Sequence, residues 1–215
     1  MVTTIAKKKK EISLEVIGGN AEGVTGSCTK VGFFNRTILF ELGMIQDNST
    51  ILENYKVNSS ILNKIKSKSV EMIIVGHLHC DHVGLIPMLF ARGNTQAKII
   101  VPENSTSILK EMWYDCCYIN KRDIETLNRK RDKSYTPLYT ENEVEMALSR
   151  IVEIPVGDIV DIDENISIRY TPAGVHVKLN YISMVVLIQE KFYLHPILET
   201  QWLKTEKCLL NLLRK

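Results

Sequence analysis

The sequence lacks the features that would place it outside the ordinary globular proteins. No stretch approaches the run of about 18 apolar residues that a membrane-spanning helix needs, so we expect no membrane segment. Residues 1–10 are basic, but the alternating, acid-containing EISLEV that follows argues against a secretory signal peptide. Positive and negative side chains are nearly balanced, with 27 Lys and Arg and 25 Asp and Glu. Binding to nucleic acid would therefore depend on a local basic surface rather than on net charge.

The cysteines lack the paired spacing of cysteine-based metal or redox motifs. The five cysteines include no CxxC pair, and their odd number argues against a disulfide framework. We therefore expect free thiols in a cytoplasmic protein. Internal repeats and low-complexity segments are absent as well. The length of 215 residues is enough for a sizeable core in one large or two small domains.

Strand patterns occur towards both ends of the chain, and helix patterns lie between them. Strands are predicted at 11–17, in a hairpin over 31–42 that turns at Asn35 and Arg36, at 71–75, at 97–101 and as short pieces over 151–170. Helices are predicted at 59–68, 85–92, 105–120 and 141–150, the last with Thr140 as its N-cap. This arrangement favours a layered α/β domain.

Three of the five histidines fall within six residues, in the pattern H-x-H-x-D-H formed by His77, His79, Asp81 and His82. The pattern follows the predicted strand 71–75 directly, so we place it in the loop at a strand end. His77 and His79 would point the same way and share one metal ion. Asp81 and His82, after the chain turns, would address a second ion about 3.5–4 Å away. Imidazole and carboxylate ligands suit zinc, with manganese or iron as alternatives. A polar cap or a structural zinc site is less favoured, because closed structural sites usually recruit cysteine pairs.

Five segments, in order along the chain, resemble the motifs of one family. They are GGNAEGVTGSC (18–28), ILFELGMIQ (38–46), VGHLHCDHVGLIPML (75–89), PLYTENEVEMAL (137–148) and YTPAG (170–174). In combination they resemble the metallo-β-lactamase superfamily and, more narrowly, its β-CASP branch of RNA-processing nucleases. The resemblance covers about residues 12–174.

The resemblance implies an α/β fold of the αββα sandwich type, here incomplete, as one partial domain over residues 1–215 with a divergent tail at 175–215. It also implies hydrolysis of phosphodiester bonds in RNA or single-stranded nucleic acid by two zinc ions, with manganese as an alternative. His77 and His79 would hold one ion and Asp81 and His82 the other, and Asp81 would accept the proton of the attacking water. Glu41, where the family usually has Asp, would support the ligands from outside the coordination sphere of the metal.

The end of the resemblance departs from the family pattern. The family has a histidine directly after the Ala-Gly pair, whereas here Val175 stands there and His176 comes one residue late. We retain His176 as a candidate further ligand, the alternative being a strand histidine that faces solvent. The metal-bridging Asp of the family has no counterpart after Glu164. We therefore expect weak nuclease activity from this form of the chain.

The tail also suggests a change of reading frame between residues 174 and about 180. Reading each codon one nucleotide earlier permits, after Glu190, a strand followed by Asp-Ile-Gly, which is what the family would place there. The alternative is a native ending that has diverged.

Other interpretations remain open. A hydrolase of thioesters or lactams is a second function, although the VTGS and YTxxxV segments argue against it, and a non-catalytic metal-binding remnant is a third. The basic stretch 121–133 would suit a nucleic-acid backbone, but it also contains acids, and a solvated helix face is favoured. Cys80 is interpreted as a free thiol, the Cys116-Cys117 pair as core packing, and His195 has no matching motif.

Overall fold

The computed structural model describes residues 12–19, 25–33, 35–46, 50–130, 134–172, 182–188 and 191–195. The strands of this part of the chain are β1 (Ile12–Gly18), β2 (Cys28–Phe33), β3 (Arg36–Phe40), β4 (Val70–Ile74), β5 (Lys98–Pro102), β6 (Ile151–Ile154), β7 (Ile159–Asp163), β8 (Ile166–Pro172), β9 (Ile182–Ile188) and β10 (Lys191–His195). Its α-helices are α1 (Ile51–Ile61), α2 (Cys80–Val83), α3 (Ile86–Ala91), α4 (Thr106–Lys130) and α5 (Glu141–Leu148). No helix in these ranges combines the length and the apolar character needed to cross a membrane.

The strands form two sheets. The larger has the order β1-β2-β3-β4-β5-β6, and its strands are antiparallel up to β3 and parallel from β3 onwards. The smaller has the order β10-β9-β8-β7 and is antiparallel throughout. Strands β9 and β10 lie in the tail that departs from the family pattern. This part of the tail therefore extends a sheet that begins within the resemblance.

Alternate residues of the central strands divide the core into two parts, as the pleat of a strand requires. Ile73 and Ile99 pack on one face of the larger sheet with the helices, which contribute Trp113 among others. Ile74 and Ile100 pack on the other face against the smaller sheet. Each fully buried side chain of this size stabilises the fold by about 1.5–3 kcal/mol. The described residues thus form successive layers of helix, sheet and sheet, and the predicted layered α/β fold is confirmed.

Helix α1 begins earlier than the sequence pattern predicts. The predicted helix 59–68 is in fact the end of α1 followed by two short 3₁₀ segments at Leu62–Lys64 and Ser67–Ser69. A capping box fixes the true start, because the Thr50 side chain accepts from Glu53 N and the Glu53 carboxylate accepts from Thr50 N. The pattern of apolar residues alone did not indicate this cap.

Helix α4 continues to Lys130 instead of ending at residue 120. The added turns carry exposed charged residues on one side, while Ile124 and Leu127 are buried on the other. Those two pack against Leu52 of α1. Residues 121–130 of the basic stretch 121–133 therefore form a helix with one solvated face, the interpretation favoured from the sequence. The other three residues lie outside the described part of the chain.

Candidate metal centre

The sheet topology brings the candidate site residues to one edge. Strands β3 and β4 are adjacent and parallel, so their carboxyl ends lie side by side. Glu41 follows β3 directly, and its backbone N–H donates to the carbonyl of Ile74 at 3.0 Å. The H-x-H-x-D-H pattern follows β4. Residues far apart in sequence thus meet where parallel sheets usually place their binding crevices.

Three imidazole rings lie together at this edge. The ring centroid of His77 is 4.0 Å from that of His79 and 4.7 Å from that of His82, and both contacts are edge-on. His77 and His82 are buried, whereas His79 is exposed. The prediction that the His77 and His79 side chains lie together is therefore correct, but the reason given for it, alternation along a strand, was wrong. Strand β4 ends at Ile74, and a bend in the following chain, with His79 as N-cap of α2, brings the rings together.

Glu41 fixes the orientation of His82. Its carboxylate is fully buried, and Oε2 accepts a hydrogen bond from Nδ1 of His82 at 2.7 Å. Because a carboxylate only accepts, Nδ1 carries a proton, which leaves Nε2 as the ring nitrogen that faces the rest of the cluster, 3.5 Å from Asp81 Oδ2. The Glu41 backbone has φ of 61°, a conformation unusual for a non-glycine residue and often found at functional sites. Glu41 thus lies where the predicted supporting role needs it.

His77 is held in the form that binds metals. Burial lowers the pKa of His77 to about 3, and the neighbouring His82 and His79 act in the same direction. The imidazole is therefore neutral at physiological pH, as a metal ligand must be.

The H-x-H-x-D-H motif and the two residues after it, 77–84, are called the metal loop below. Hydrogen bonds hold its backbone over residues 80–84. Five consecutive carbonyls accept hydrogen bonds from four separate parts of the chain. The pairs are Cys80 with Met44 N (2.9 Å), Asp81 with Ser27 N (2.8 Å), His82 with Leu42 N (2.9 Å), Val83 with Trp113 Nε1 (3.0 Å) and Gly84 with the Tyr139 hydroxyl (2.8 Å). We call residues 80–84 with these five donors the carbonyl clasp. It holds the backbone of the metal loop by hydrogen bonds within the chain.

Gly43 lies between two donors of the clasp, Leu42 and Met44, where the chain runs close to the metal loop. A Cβ at this position would lie 1.6 Å from the carbonyl oxygen of Asp81 and 2.8 Å from His82 N. Only glycine lets the strand β3 extension lie this close to the metal loop.

Tyr170 joins the second sheet to the same edge. Its hydroxyl is buried and donates to the carbonyls of Val75, at 2.7 Å, and Ile100, at 3.1 Å. The end of β8 therefore lies beside the ends of β4 and β5. The sequence motif YTPAG singled out this segment but not the contact, which depends on packing between the sheets. His176, the candidate further ligand beyond it, lies outside the described residues.

The superfamily implies a divalent metal, and the donor set fits such an ion in kind. Three imidazoles are in contact, His77 is neutral and His82 is oriented by Glu41. As placed in the described part of the chain, however, no three His, Cys, Asp or Glu side chains are arranged so that they could hold an ion. The donors are present at one edge but are not gathered around a common point.

The cysteines follow the sequence interpretation in part. Cys80 is a partly exposed free thiol, and Cys116 and Cys117 are buried in the core, as predicted. The sequence did not indicate that Cys80 and Cys116 meet, with their Sγ atoms 3.3 Å apart. No local spacing predicts this contact, since it depends on how α4 packs on the metal loop.

Glu41→Gln tests the orienting role of this carboxylate. The amide has the same shape but no charge, so it holds the His82 ring more weakly and leaves its tautomer less defined. We expect metal binding to weaken on the order of tenfold, because removing such supporting hydrogen bonds typically costs that much. Titration with zinc in a calorimeter measures the change. Glu71→Gln on β4 is the matched control, and an equal loss there would rule out the orienting role.

Comparison with curated proteins finds distant relatives, each of which aligns with this chain over about 150 residues. A transcription termination factor FttA of Cenarchaeum symbiosum is 22% identical over 166 residues, which are 77% of this chain and 24% of that protein. An RNase J-like protein of Methanocaldococcus jannaschii is 27% identical over 73% of this chain and 30% of its own length. The endoribonuclease YSH1 of Eremothecium gossypii is 19% identical over 68% of this chain and 18% of its own length.

The chain thus spans about a fifth to a third of the length of these relatives. No protein-family model matches it. Among solved structures, the metallo-β-lactamase fold protein YhfI of Bacillus subtilis aligns with a TM-score of 0.47 and 14% identity, over 88% of this chain and 63% of that one. The curated relatives confirm the family resemblance that the motifs predicted.

Proposed function

We propose that this chain, a relative of the RNA-processing β-CASP branch of the metallo-β-lactamase superfamily, takes part in metal-dependent hydrolysis of RNA phosphodiester bonds. The observation that carries the proposal is the cluster of His77, His79 and His82 at the strand edge, with Glu41 behind His82. The names of two relatives, an RNase J-like protein and an endoribonuclease, support RNA as the substrate.

Each residue of the cluster has a distinct task in this proposal. His77 and His79 would hold one divalent ion, and Asp81 and His82 would hold the other, with zinc the favoured metal and manganese the alternative. Bound there, such ions would supply Lewis-acid stabilisation of the phosphate charge and an acidified water. Asp81 accepts the proton of the attacking water. Glu41 keeps His82 in the tautomer that binds metal.

The exposure of the cluster suits a polymeric substrate. His77 and His82 are buried, but His79 is exposed and Asp81 is partly exposed. The reacting edge is therefore open to solvent on one side. A phosphodiester within a longer strand can reach Asp81 without entering a closed cavity.

A cleavage assay on the full 215-residue chain tests the proposal. Labelled single-stranded RNA is incubated with added zinc or manganese, beside DNA of the same sequence. We expect weak cleavage of RNA that a chelator abolishes and that Asp81→Asn reduces on the order of a hundredfold, as loss of a general base does. Asp158→Asn, in an exposed turn, is the matched control. Cleavage that survives both the chelator and Asp81→Asn would contradict the proposal.

A non-catalytic metal-binding module is the second candidate. The observation that favours it is that, among the described residues, the donors do not converge around one point. Stoichiometric zinc binding with no cleavage of RNA, DNA or small ester substrates would favour this alternative.

A further inference from the structure

Sulfur atoms form a cluster directly behind the metal loop. Sγ of Cys80 lies 3.3 Å from Sγ of Cys116 and 3.9 Å from Sδ of Met44. Cys80 is the first residue of α2 and stands between His79 and Asp81, whereas Cys116 lies in the middle of α4. Both thiols are reduced in this structure. The proposed hydrolysis uses neither of them.

The two sulfur atoms are close enough to be joined by small side-chain movements. A disulfide bond is about 2.05 Å long, so the Sγ atoms have to approach by about 1.3 Å. Both side chains project from helices that already pack together, because Trp113 of α4 donates to the carbonyl of Val83 at 3.0 Å. The link therefore forms between elements that already lie side by side, and the movement it needs is local to Cys80 and Cys116.

A small oxidant has a route to the pair. A cavity of about 220 Å³ lies between α1, α4 and the segment 44–46, and Cys116 is part of its lining. Asn54, Asn58 and Asp123 also line it, so the space is polar enough for a peroxide. The hydrogen bond with Cys80 lowers the pKa of Cys116, although burial opposes this effect. The thiolate is the form of cysteine that reacts with a peroxide, because it is the nucleophile.

We propose that Cys80 and Cys116 are an oxidation site, at which hydrogen peroxide converts the two thiols into a disulfide that ties the metal loop to α4. The Cys116 sulfur attacks the peroxide, so an S–O bond forms, the O–O bond breaks and one water leaves. The Cys80 sulfur then attacks the resulting sulfenic sulfur, so the S–S bond forms, the S–O bond breaks and a second water leaves. Two thiols are oxidised and one peroxide is reduced.

The disulfide would be attached to the metal loop at Cys80, between the candidate ligands His79 and Asp81. The carbonyl of Cys80 accepts from Met44 N at 2.9 Å and from Gly84 N at 2.8 Å, and its two neighbours are candidate ligands. Drawing the Cys80 side chain towards α4 displaces His79 and Asp81 relative to His77. The effect on metal binding rests on the proposed function, whereas the formation of the disulfide does not.

Mass spectrometry of the full chain tests the site. The reduced, metal-free protein is treated with equimolar hydrogen peroxide, alkylated and digested. We expect the mass of the intact chain, measured before alkylation, to fall by that of two hydrogen atoms, and the digest to contain a peptide that joins Cys80 to Cys116. Cys117→Ser is the matched control, because this neighbour on α4 contacts the Tyr139 carbonyl instead and should leave the link intact. Cys80→Ser and Cys116→Ser should each abolish it.

Links from Cys80 or Cys116 to Cys117 or Cys208, or sulfinic acids in place of the link, would overturn the proposal. Zinc affinity gives a separate measurement of its consequence. We expect oxidation to weaken zinc binding on the order of tenfold in the parent and Cys117→Ser proteins but not in Cys116→Ser. A disulfide that leaves zinc affinity unchanged would overturn the coupling to the metal loop. Absence of zinc binding in the reduced protein would instead count against the proposed function.

Discussion

Replacing His77 and His79 together by alanine is expected to remove most of the zinc that the purified protein carries. The double variant removes two of the three imidazoles that are in contact at the strand edge. Loss of supporting groups alone costs metal sites 10–100-fold in affinity as a rough range, so loss of two ligands should weaken binding by more than about a hundredfold. Metal content after dialysis, measured by plasma mass spectrometry, gives the result directly.

The folded state of this double variant has to be compared with that of the parent. His77 is buried, so the truncation leaves a small cavity, and circular dichroism with thermal unfolding measures its cost. His79→Ala alone is the second variant, because His79 is exposed and its loss should leave the unfolding midpoint unchanged. Unchanged zinc content in a folded double variant would disprove the ligand assignment.

Gly43→Ala is expected to disrupt the metal loop although the substitution adds only one methyl group. The new Cβ would lie 1.6 Å from the Asp81 carbonyl oxygen, and the obstructing atoms belong to backbone that the carbonyl clasp holds in place. Neither side can give way without breaking hydrogen bonds. Overpacking of this kind costs about 3 kcal/mol of unfolding free energy at the upper end of its usual range. Zinc binding should weaken as well, since Asp81 and His82 move with the loop.

Gly32→Ala is the matched control for this experiment. The nearest atom to a Cβ at Gly32 is the hydroxyl of Ser13, which lies 2.6 Å away but belongs to an exposed side chain that can rotate. We expect a loss of less than about 1 kcal/mol in chemical denaturation and unchanged zinc affinity. Similar losses in both variants would show that Gly43 is needed for general stability rather than for the close approach to the metal loop.

Local patterns predicted those parts of the fold that local physics determines. The strand at Val70–Ile74 and the histidine motif after it followed from a short apolar run and the spacing of ligand side chains. Helix α5 with its Thr140 capping box was predictable for the same reason, because cap and first turn lie within four residues of one another. In each case the interacting residues are close in sequence.

The support of the site could not be predicted in this way. The bond from Trp113 to the Val83 carbonyl, the bond from Tyr139 to the Gly84 carbonyl and the contact of Cys80 with Cys116 each join segments at least 30 residues apart. They depend on how α4 and the following segment pack on the metal loop. The resemblance to a family indicated Glu41, but only the pairing of β3 with β4 explains why its carboxylate meets His82. The burial of His77 beside an exposed His79 likewise reflects the bend after β4.

The carbonyl clasp also has a consequence for the motions of the protein. The amide protons of Ser27, Leu42 and Met44 exchange with solvent only when the segments on either side of the clasp separate. Every acceptor of the clasp is a backbone carbonyl and every donor lies outside the histidine motif, so the bonds need no ion and we expect slow exchange in metal-free protein as well. A divalent ion then meets a loop whose backbone is already ordered and has only the ligand side chains to gather, so we expect a small loss of backbone entropy and a small change in heat capacity. The free energy of ligation is accordingly available for holding the ion rather than for folding the loop around it.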